Sequence, residues 1–303
     1  MALGISIIVF AVIQAAPGGP ETMLFQSGRI VDEAAVEAYR NRLGLDQPVP
    51  VQYVRWLGAA VTGDLGMSFA RNRPVKDVIL EHLPATLELM GAAFVLAAVL
   101  ALGLGVVSAV RQYSWIDHLG TGLSFAGIAM PVFWFGLILQ LVFAVQLGWL
   151  PASGRQTTGV NTLPDHLAHL ILPGVVLSMR YVAGWSRYLR SSMLGALRSD
   201  FVRTARAKGL SERRVVWVHA LRNAMVPVVS VIALETAGLF SGAIITETVF
   251  AWPGIGRLFV LAMTQRDYPV LMGILLLGAV MVILFNLLAD LVYGWLDPRI
   301  RYE

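Results

Sequence analysis

The stretch LMGAAFVLAAVLALGLGVVSAV, residues 89–110, decides the fold because it carries no charged side chain. A transmembrane helix needs about 20 apolar residues to cross the hydrocarbon core of a bilayer. Residues 119–147 and 268–289 form two further uncharged runs of sufficient length. The composition agrees, since 14% of the residues are charged, whereas soluble domains have about 25%. The sequence therefore predicts a membrane protein built from helical spans.

We predict an all-α, polytopic membrane protein with six transmembrane helices in a single domain, residues 1–303. Residues 2–16 lack the positive charge that opens a signal peptide, which favours a span that starts upstream of Met1 over a cleaved leader. The six spans are expected at about residues 2–16, 84–110, 119–147, 167–189, 223–245 and 268–291.

Residues 17–83 are too polar to cross a membrane, so we expect a long extracytoplasmic loop between the first two spans. Within it, Asp32, Pro50 and Pro74 are typical of helix starts, and apolar residues follow each of them at helical spacing. These amphipathic helices should lie on the membrane surface or pack over the spans.

The distribution of Arg and Lys predicts the orientation, because short cytoplasmic loops collect positive charge. With both termini placed in the cytoplasm, the short outer loops hold only Arg155, Arg257 and Arg266. The inner segments hold Arg111, Arg187, Arg190, Arg198, Arg203, Arg206, Lys208, Arg213, Arg214, Arg222, Arg299 and Arg301. The basic stretch RTARAKGLSERRVVWVHALRN, residues 203–223, is thus explained by membrane topology and does not indicate a nucleic-acid partner.

The cytoplasmic loop between the fourth and fifth spans, residues 190–222, has a pattern that topology alone does not explain. Residues 199–208 are predicted to form a short helix, which Gly209 can end in the left-handed conformation that glycine permits. Ser211 can cap a second helix, with Glu212 in its positively polarised first turn. A short, exposed helix held at a glycine elbow suits docking into the groove of a partner.

These residues carry a resemblance to a known family. The segment DFVRTARAKGLSERRVVWVHALRNAMVPVV, residues 200–229, resembles the signature loop of ATP-binding-cassette importer permeases. It is similar in particular to the dipeptide, oligopeptide and nickel branch. The general form of the loop is Glu-Ala-Ala, three residues and then Gly, of which Ala205 and Gly209 are matched. Arg203 and Thr204 depart from that form, and the wording RTARAKG is the version associated with the peptide branch.

The resemblance continues along nearly the whole chain. Seven further segments are similar to the family in the expected order, and together with six spans they make a specific pattern. They are APGGP (16–20), RLGLDQPVPVQYVRWL (42–57), GDLGMSF (63–69), LGWLPASG (147–154), ETVFAWPGIGRL (247–258), RDYPV (266–270) and DPRIRY (297–302).

The resemblance implies a permease subunit of the bacterial inner membrane that translocates di- or oligopeptides. It implies a homologous permease as heterodimer partner, two cytoplasmic ATP-binding subunits, and an extracytoplasmic binding protein that delivers the solute. ATP and Mg would bind the partner subunits, and this chain would hold no cofactor and would not be an enzyme. The ATPase-coupling loop would consist of Arg203, Thr204, Ala205, Arg206, Ala207, Lys208 and Gly209.

The lysines agree with that expectation. A P-loop requires Gly-Lys followed by Ser or Thr, which hold the phosphates and Mg²⁺. Lys76 precedes Asp77 and Lys208 precedes Gly209, so neither lysine belongs to such a motif.

Two charged residues within predicted spans are candidates for the solute pathway. A charge at the centre of a transmembrane helix costs about 2.5–3.5 kcal/mol on insertion scales, so Glu235 should face the bundle or a watery path. It could meet the amino group of a peptide, or it could be a protonated structural residue. Arg180 could pair with Glu235, could face a peptide carboxylate, or could extend to the membrane interface.

Two other features have competing interpretations. His166 and His169 have the spacing of two metal ligands, but with no third ligand beside them we favour a structural or solvated pair, and no metal site is expected. Trp252 follows the fifth span in AWPGIGR, a predicted Pro-Gly turn, and it could anchor at the interface or the turn could contact the binding protein.

Other functions compete with this interpretation. Nickel or glutathione could be the solute of a permease of this branch, and a secondary transporter or channel working alone is a different class that needs no cytoplasmic partner. A membrane enzyme has little support, since the sequence contains no HExxH motif and no cysteine.

Overall fold

The computed structural model describes residues 46–296 together with residues 4, 6–8, 10, 11 and 37, and the described residues are mainly helical. The predicted all-α class is therefore confirmed. The predicted first span, the helix expected after Asp32 and the segment DPRIRY lie largely or wholly outside the described residues. The helices are α1 (Val49–Val61), α2 (Val75–Val110), α3 (Trp115–Ala129), α4 (Val132–Leu139, continued by π-helical Gln140–Gln146), α5 (Leu163–Leu197), α6 (Asp200–Ala207), α7 (Glu212–Arg214, continued by π-helical Val215–Ala220), α8 (Leu221–Val249), α9 (Ile255–Thr264) and α10 (Tyr268–Leu296).

Within the described residues, four helical segments are long and apolar enough to cross a membrane. They overlap the predicted second, fourth, fifth and sixth spans and are Val75–Val110, Leu163–Leu197, Glu212–Thr236 and Tyr268–Ala289. Two boundaries differ from the prediction. α2 begins at Val75 and continues through Pro84, so the separate surface helix expected after Pro74 is wrong. α5 continues to Leu197, so the first part of the predicted loop 190–222 belongs to this helix.

The segment predicted as the third span is broken. α3 and the helix Val132–Gln146 meet at an angle of 109°, as a broken span or a re-entrant loop does. The break has a local cause, because Pro131 disfavours helical backbone in the residue before it. Met130 is accordingly extended, with φ −80° and ψ 125°.

The chain divides into two compact units, and the first comprises residues 1–86 and 253–282. The carboxylate of Asp267 is buried there and accepts hydrogen bonds from the Ser68 hydroxyl (2.5 Å) and the Phe69 N–H (3.0 Å). This carboxylate, just before the start of α10, thereby holds Ser68 and Phe69 in place. α9 was missed, because the Pro-Gly pair before it was interpreted only as a turn.

The second unit comprises residues 87–252 and 283–303. Its central helix is α5, which packs along α8 and α3. At the end of α5 that leads into α6, a hydrophobic core gathers side chains from α2, α5, α6, the π-helical segment and α8. Its buried members are Val106, Ala109, Leu189, Met193, Val202, Ala205, Val215, Val216, Ala220, Ala224 and Val228.

Candidate functional site

The short helix α6 ends in a glycine elbow. The N–H of Leu210 donates to the carbonyl of Ala205 at 3.4 Å, and the N–H of Gly209 donates to the carbonyl of Arg206 at 2.9 Å. This pair of bonds is the Schellman arrangement, which requires a left-handed residue after the helix. Gly209 has φ +75° and fills that position. The helix and its turn therefore have the local geometry that the sequence predicts.

An ion pair closes the elbow across Gly209. Arg206 donates from Nη2 to Oε1 of Glu212 at 2.5 Å and from Nε to Oε2 at 3.1 Å. The carboxylate of Glu212 raises the pKa of Arg206 through these bonds. Ser211 occupies the capping position before α7 but its side chain makes no capping hydrogen bond. The side-chain cap predicted for Ser211 is therefore absent, and the exposed Arg206–Glu212 ion pair links the end of α6 to the start of α7.

α6 has one buried face and one exposed face. Val202 is 0% exposed and Ala205 is 6% exposed, and both belong to the hydrophobic core at the end of α5. The other residues of the predicted coupling loop are exposed, as is Phe201; they are Arg203, Thr204, Arg206, Ala207, Lys208 and Gly209. α6 is therefore joined through its buried face to the helices that share its core, and its opposite face is exposed.

A buried ion pair that the sequence analysis missed lies near α6. Asp117, in the first turn of α3, is 2% exposed and pairs with Arg190 of α5. Its carboxylate also accepts from the N–H of Tyr113 at 2.9 Å. The spacing of Ser114 and Asp117 resembles a capping box and could have indicated a helix start, but nothing local indicated Arg190.

In the middle of the second unit, Glu235 meets Trp185. The indole Nε1 of Trp185 donates to Oε2 of Glu235 at 2.8 Å, and Trp185 itself is fully buried. Glu235 is half-buried and lies against α5, as its expected orientation toward the bundle requires. Arg180 is exposed, and among the described residues it forms no ion pair with Glu235.

Two glycines make room for polar side chains where α5 and α8 pack together. A Cβ added to Gly184 of α5 would lie 3.8 Å from Oε2 of Glu235. A Cβ added to Gly238 of α8 would lie 3.2 Å from the hydroxyl of Tyr181. Each helix thus places a glycine opposite a polar side chain of the other, which allows a close approach.

The two histidines have different partners. His166 contacts Glu88, which also accepts from Nη2 of Arg155 at 2.5 Å, whereas Nδ1 of His169 lies 2.9 Å from the carbonyl oxygen of Asp165. In the described part of the chain, no group of three or more His, Cys, Asp or Glu residues could hold a metal ion. The structural interpretation of this pair agrees with these contacts.

Trp252 lies inside the second unit. Its side chain is 0% exposed, and its ring centroid is 6.1 Å from that of His166. The interpretation of Trp252 as an anchor at the membrane interface is therefore wrong. The sequence did not reveal its burial because a tryptophan after an apolar span is equally typical of both positions.

Comparison with known families identifies two matching regions. Residues 101–302 match the family described as binding-protein-dependent transport system inner membrane component. Residues 1–90 match the N-terminal region of binding-protein-dependent transport system membrane components.

Curated relatives match over nearly their whole length. The chain is 45% identical to the oligopeptide transport system permease protein AppB of Bacillus subtilis, with 99% of this chain and 95% of that protein covered. It is 43% identical to the di/tripeptide transport system permease protein DppB of Pseudomonas aeruginosa, with the same two coverages of 99% and 95%.

Solved structures share the fold at low sequence identity. An inward-facing structure of the MetNI methionine ABC transporter superposes with a TM-score of 0.60 at 14% identity, covering 73% of this chain and 96% of that chain. An amino acid ABC transporter superposes with a TM-score of 0.55 at 15% identity, covering 72% of this chain and 93% of that chain.

Proposed function

Because the chain belongs to the family of binding-protein-dependent transport system inner membrane components, we propose that it is the permease subunit of an ATP-driven importer of di- or oligopeptides. Peptides are the proposed solute because the relatives compared above are named as oligopeptide and di/tripeptide permeases. An extracytoplasmic binding protein delivers the peptide, and the chain works beside a homologous permease and two cytoplasmic ATP-binding subunits.

The proposed topology has six spans with both termini in the cytoplasm. Four spans are the long apolar helices, and the bent pair of α3 and α4 supplies a fifth as one broken span. Residues 2–16 supply the sixth. The orientation is supported by charge, because the segments placed in the cytoplasm hold an excess of Arg and Lys.

The main support for a permease driven by ATP-binding subunits is the exposed face of α6. Its cationic residues Arg203, Arg206 and Lys208 are free of the core, while Val202 and Ala205 fix the helix to α2, α5 and α8. In the proposed cycle, the ATP-binding subunits hold this face and close on ATP. Their movement reaches the spans through the shared core, and ATP and Mg stay on those subunits.

Glu235 and Arg180 are the proposed contacts of the solute within the spans. Glu235 lies where α8 packs against α5, and it is half-buried beside Gly184. A carboxylate in this position can attract an ammonium group, and an exposed guanidinium can attract a carboxylate.

Reconstitution of the complete transporter tests the function. Proteoliposomes that contain this chain, the homologous permease, the ATP-binding subunits and the binding protein should accumulate a labelled dipeptide only with internal ATP. Deleting residues 203–208 should abolish both uptake and peptide-stimulated ATP hydrolysis while the chain still inserts. Full transport by that deletion variant would refute the coupling role.

Two controls separate the competing functions. Uptake of Ni²⁺ or glutathione in place of the dipeptide would assign a different solute to the same importer. Uptake driven by an ion gradient in vesicles that hold this chain alone would instead show a secondary transporter.

A further inference from the structure

One face of α5 is polar although the helix crosses the membrane. Arg180, Gly184, Arg187 and Ser191 follow one another at intervals of four, three and four residues, which places them on one stripe of the helix. Arg180, Arg187 and Ser191 are exposed. Glu235 of α8 borders the stripe, because its carboxylate oxygen Oε2 lies 3.8 Å from the Cβ position of Gly184. We call these five residues the polar face.

The polar face is unsuited to lipid. Arg180 and Glu235 lie within the predicted spans, where a charged side chain is costly and almost always faces the bundle interior or a water-filled cavity. Arg187 and Ser191 continue the same stripe at the inner end of the helix. Other exposed surfaces of the second unit differ sharply. On α2 the exposed side chains include Val95, Val99 and Leu100, and on α10 they include Leu284 and Leu287. Those apolar surfaces suit lipid, whereas the polar face requires water, a solute or a partner of matching charge.

The neighbouring helices leave the polar face open within the chain. α3 packs beside it, where Ser124 lies 3.3 Å from Ser186 and the guanidinium of Arg187 is 5.9 Å from the ring centroid of Phe125. α8 packs on its other side through the Trp185–Glu235 hydrogen bond. Within the described residues, Trp185 is the hydrogen-bond donor to Glu235 and reaches Oε2, so Oε1 is left for another donor.

The charges along the polar face match a zwitterionic peptide. Glu235 lies level with Gly184, which is four residues from Arg180 and three from Arg187, or about 6 Å and about 4.5 Å at 1.5 Å per residue. An extended dipeptide spans about 7 Å. Its ammonium group can reach the carboxylate of Glu235 while its carboxylate reaches a guanidinium one turn away, and charge-assisted hydrogen bonds of this kind are the strong ones.

We infer that the polar face lines the solute route, where Glu235 binds the ammonium group of a short peptide and Arg180 binds its carboxylate first, followed by Arg187 as the peptide moves along α5. This inference rests on the proposed function and extends it by adding Arg187 and a requirement for free peptide termini. It means that the solute contacts the open face of α5, and that the homologous permease does not cover this face permanently.

Blocked peptides test the charge assignment in the complete reconstituted transporter. Uptake of alanyl-alanine, its C-terminal amide and its N-acetyl form is compared for the unaltered chain and for the variants Arg180→Gln, Arg187→Gln and Glu235→Gln. The two arginine variants should each lower uptake of the free dipeptide about tenfold and leave uptake of the amide unchanged. Glu235→Gln should leave uptake of the N-acetyl form unchanged and lower uptake of the free dipeptide and of its amide. Each ratio is taken for one peptide with one binding protein, so the preferences of that protein cancel. Arg111→Gln, outside the polar face, is the matched control.

Equal losses for free and blocked peptides, or no loss in the three variants, would overturn the inference while the proposed function stands. The proposed function fails in a different way, when the unaltered chain takes up no dipeptide.

Thiol labelling gives a second test that does not depend on which peptides are accepted. The chain contains no cysteine, so Gly184→Cys introduces a unique site, and the added Cβ meets no atom closer than 3.8 Å. A negatively charged methanethiosulfonate should modify Gly184→Cys, and saturating alanyl-alanine with its binding protein should slow the reaction. Val99→Cys, on an apolar surface, should not react. Failure of Gly184→Cys to react with or without ATP would show that a partner covers the polar face, and the inference would be wrong.

Discussion

Arg190 donates two hydrogen bonds to Asp117, from Nε to Oδ1 at 2.6 Å and from Nη2 to Oδ2 at 2.7 Å. This two-pronged contact joins the start of α3 to the part of α5 that leads into α6. A second contact joins the same regions, since Nη2 of Arg198 lies 3.4 Å from Oε1 of Gln112. The connection between α2 and α3 is thereby held against the end of α5 and the residue that follows it.

Asp117→Asn should destabilise the protein, because it leaves the guanidinium of Arg190 without its buried counter-charge. Removal of one partner from a buried ion pair costs about 3–5 kcal/mol, and the value here should lie at the lower end since the Arg190 side chain is 27% exposed. The measurement is the midpoint of thermal unfolding in detergent. Arg190→Gln should have a similar effect, and the double variant should lose less than the sum of the two. Additive losses would contradict a direct interaction.

Val202→Ala should weaken the attachment of α6 to the core. The side chain is fully buried, and the loss of two methyl groups with the resulting cavity should cost about 2 kcal/mol. The ratio of dipeptide transported to ATP hydrolysed should fall, because the helix transmits movement less firmly. Val218→Ala, at a position that is 51% exposed, is the matched control for unfolding. An unchanged ratio in Val202→Ala would mean that the core does not transmit the movement.

Gly209→Pro should abolish peptide-stimulated ATP hydrolysis while the chain still inserts. Proline fixes φ near −65° and lacks an N–H, whereas Gly209 has φ +75° and donates to the carbonyl of Arg206. Gly209→Ala should be milder, at about 1–2 kcal/mol for the left-handed backbone. Gly195→Ala is the control, because a Cβ there meets nothing within 4 Å. If peptide stimulated ATP hydrolysis as strongly in Gly209→Pro as in the unaltered chain, the glycine elbow would have no role in coupling.

Gly238→Ala should separate α5 from α8 slightly, because its Cβ would lie 3.2 Å from the Tyr181 hydroxyl. Overpacking costs about 1–3 kcal/mol in a filled core, but Gly238 is exposed and alanine gains about 1 kcal/mol over glycine inside a helix. The net loss should therefore be about 1 kcal/mol or less, and thermal unfolding measures it. In a Tyr181→Phe background the loss should be smaller. Gly184→Ala should be tolerated, since the nearest atom is 3.8 Å away. Equal losses at the two glycines would show that the contact with Tyr181 is not the cause.

The sequence predicted those features that depend on local patterns. Uncharged runs located the long helices, because the bilayer requires continuous apolar length. The end of α6 was predictable at Gly209, since a single residue with special backbone freedom sets it. The bend after Met130 also has a local cause in Pro131, but it was missed because the uncharged run is long enough to be interpreted as one span.

The remaining features depend on contacts between distant residues. Asp117 and Arg190 are 73 residues apart, and Ser68 and Asp267 are 199 residues apart. No local pattern pairs such residues, since only the packing of the helices decides which side chains meet. For the same reason Glu235 was predictable as a bundle-facing charge, but its hydrogen bond to Trp185 was not.

The π-helical segment Val215–Ala220 determines which way α8 faces. Each turn of a π-helix holds more residues than an α-helical turn, because its hydrogen bonds run to the fifth residue. If this segment reverted to regular α-helix, every residue after it would rotate about the helix axis by about 100° per residue displaced. Glu235 would then turn away from Trp185 while Val215 and Val216 stayed in place. The rotation of the middle of α8 relative to the glycine elbow is therefore set within these six residues, where a small change in winding has its largest effect on the far end of α8.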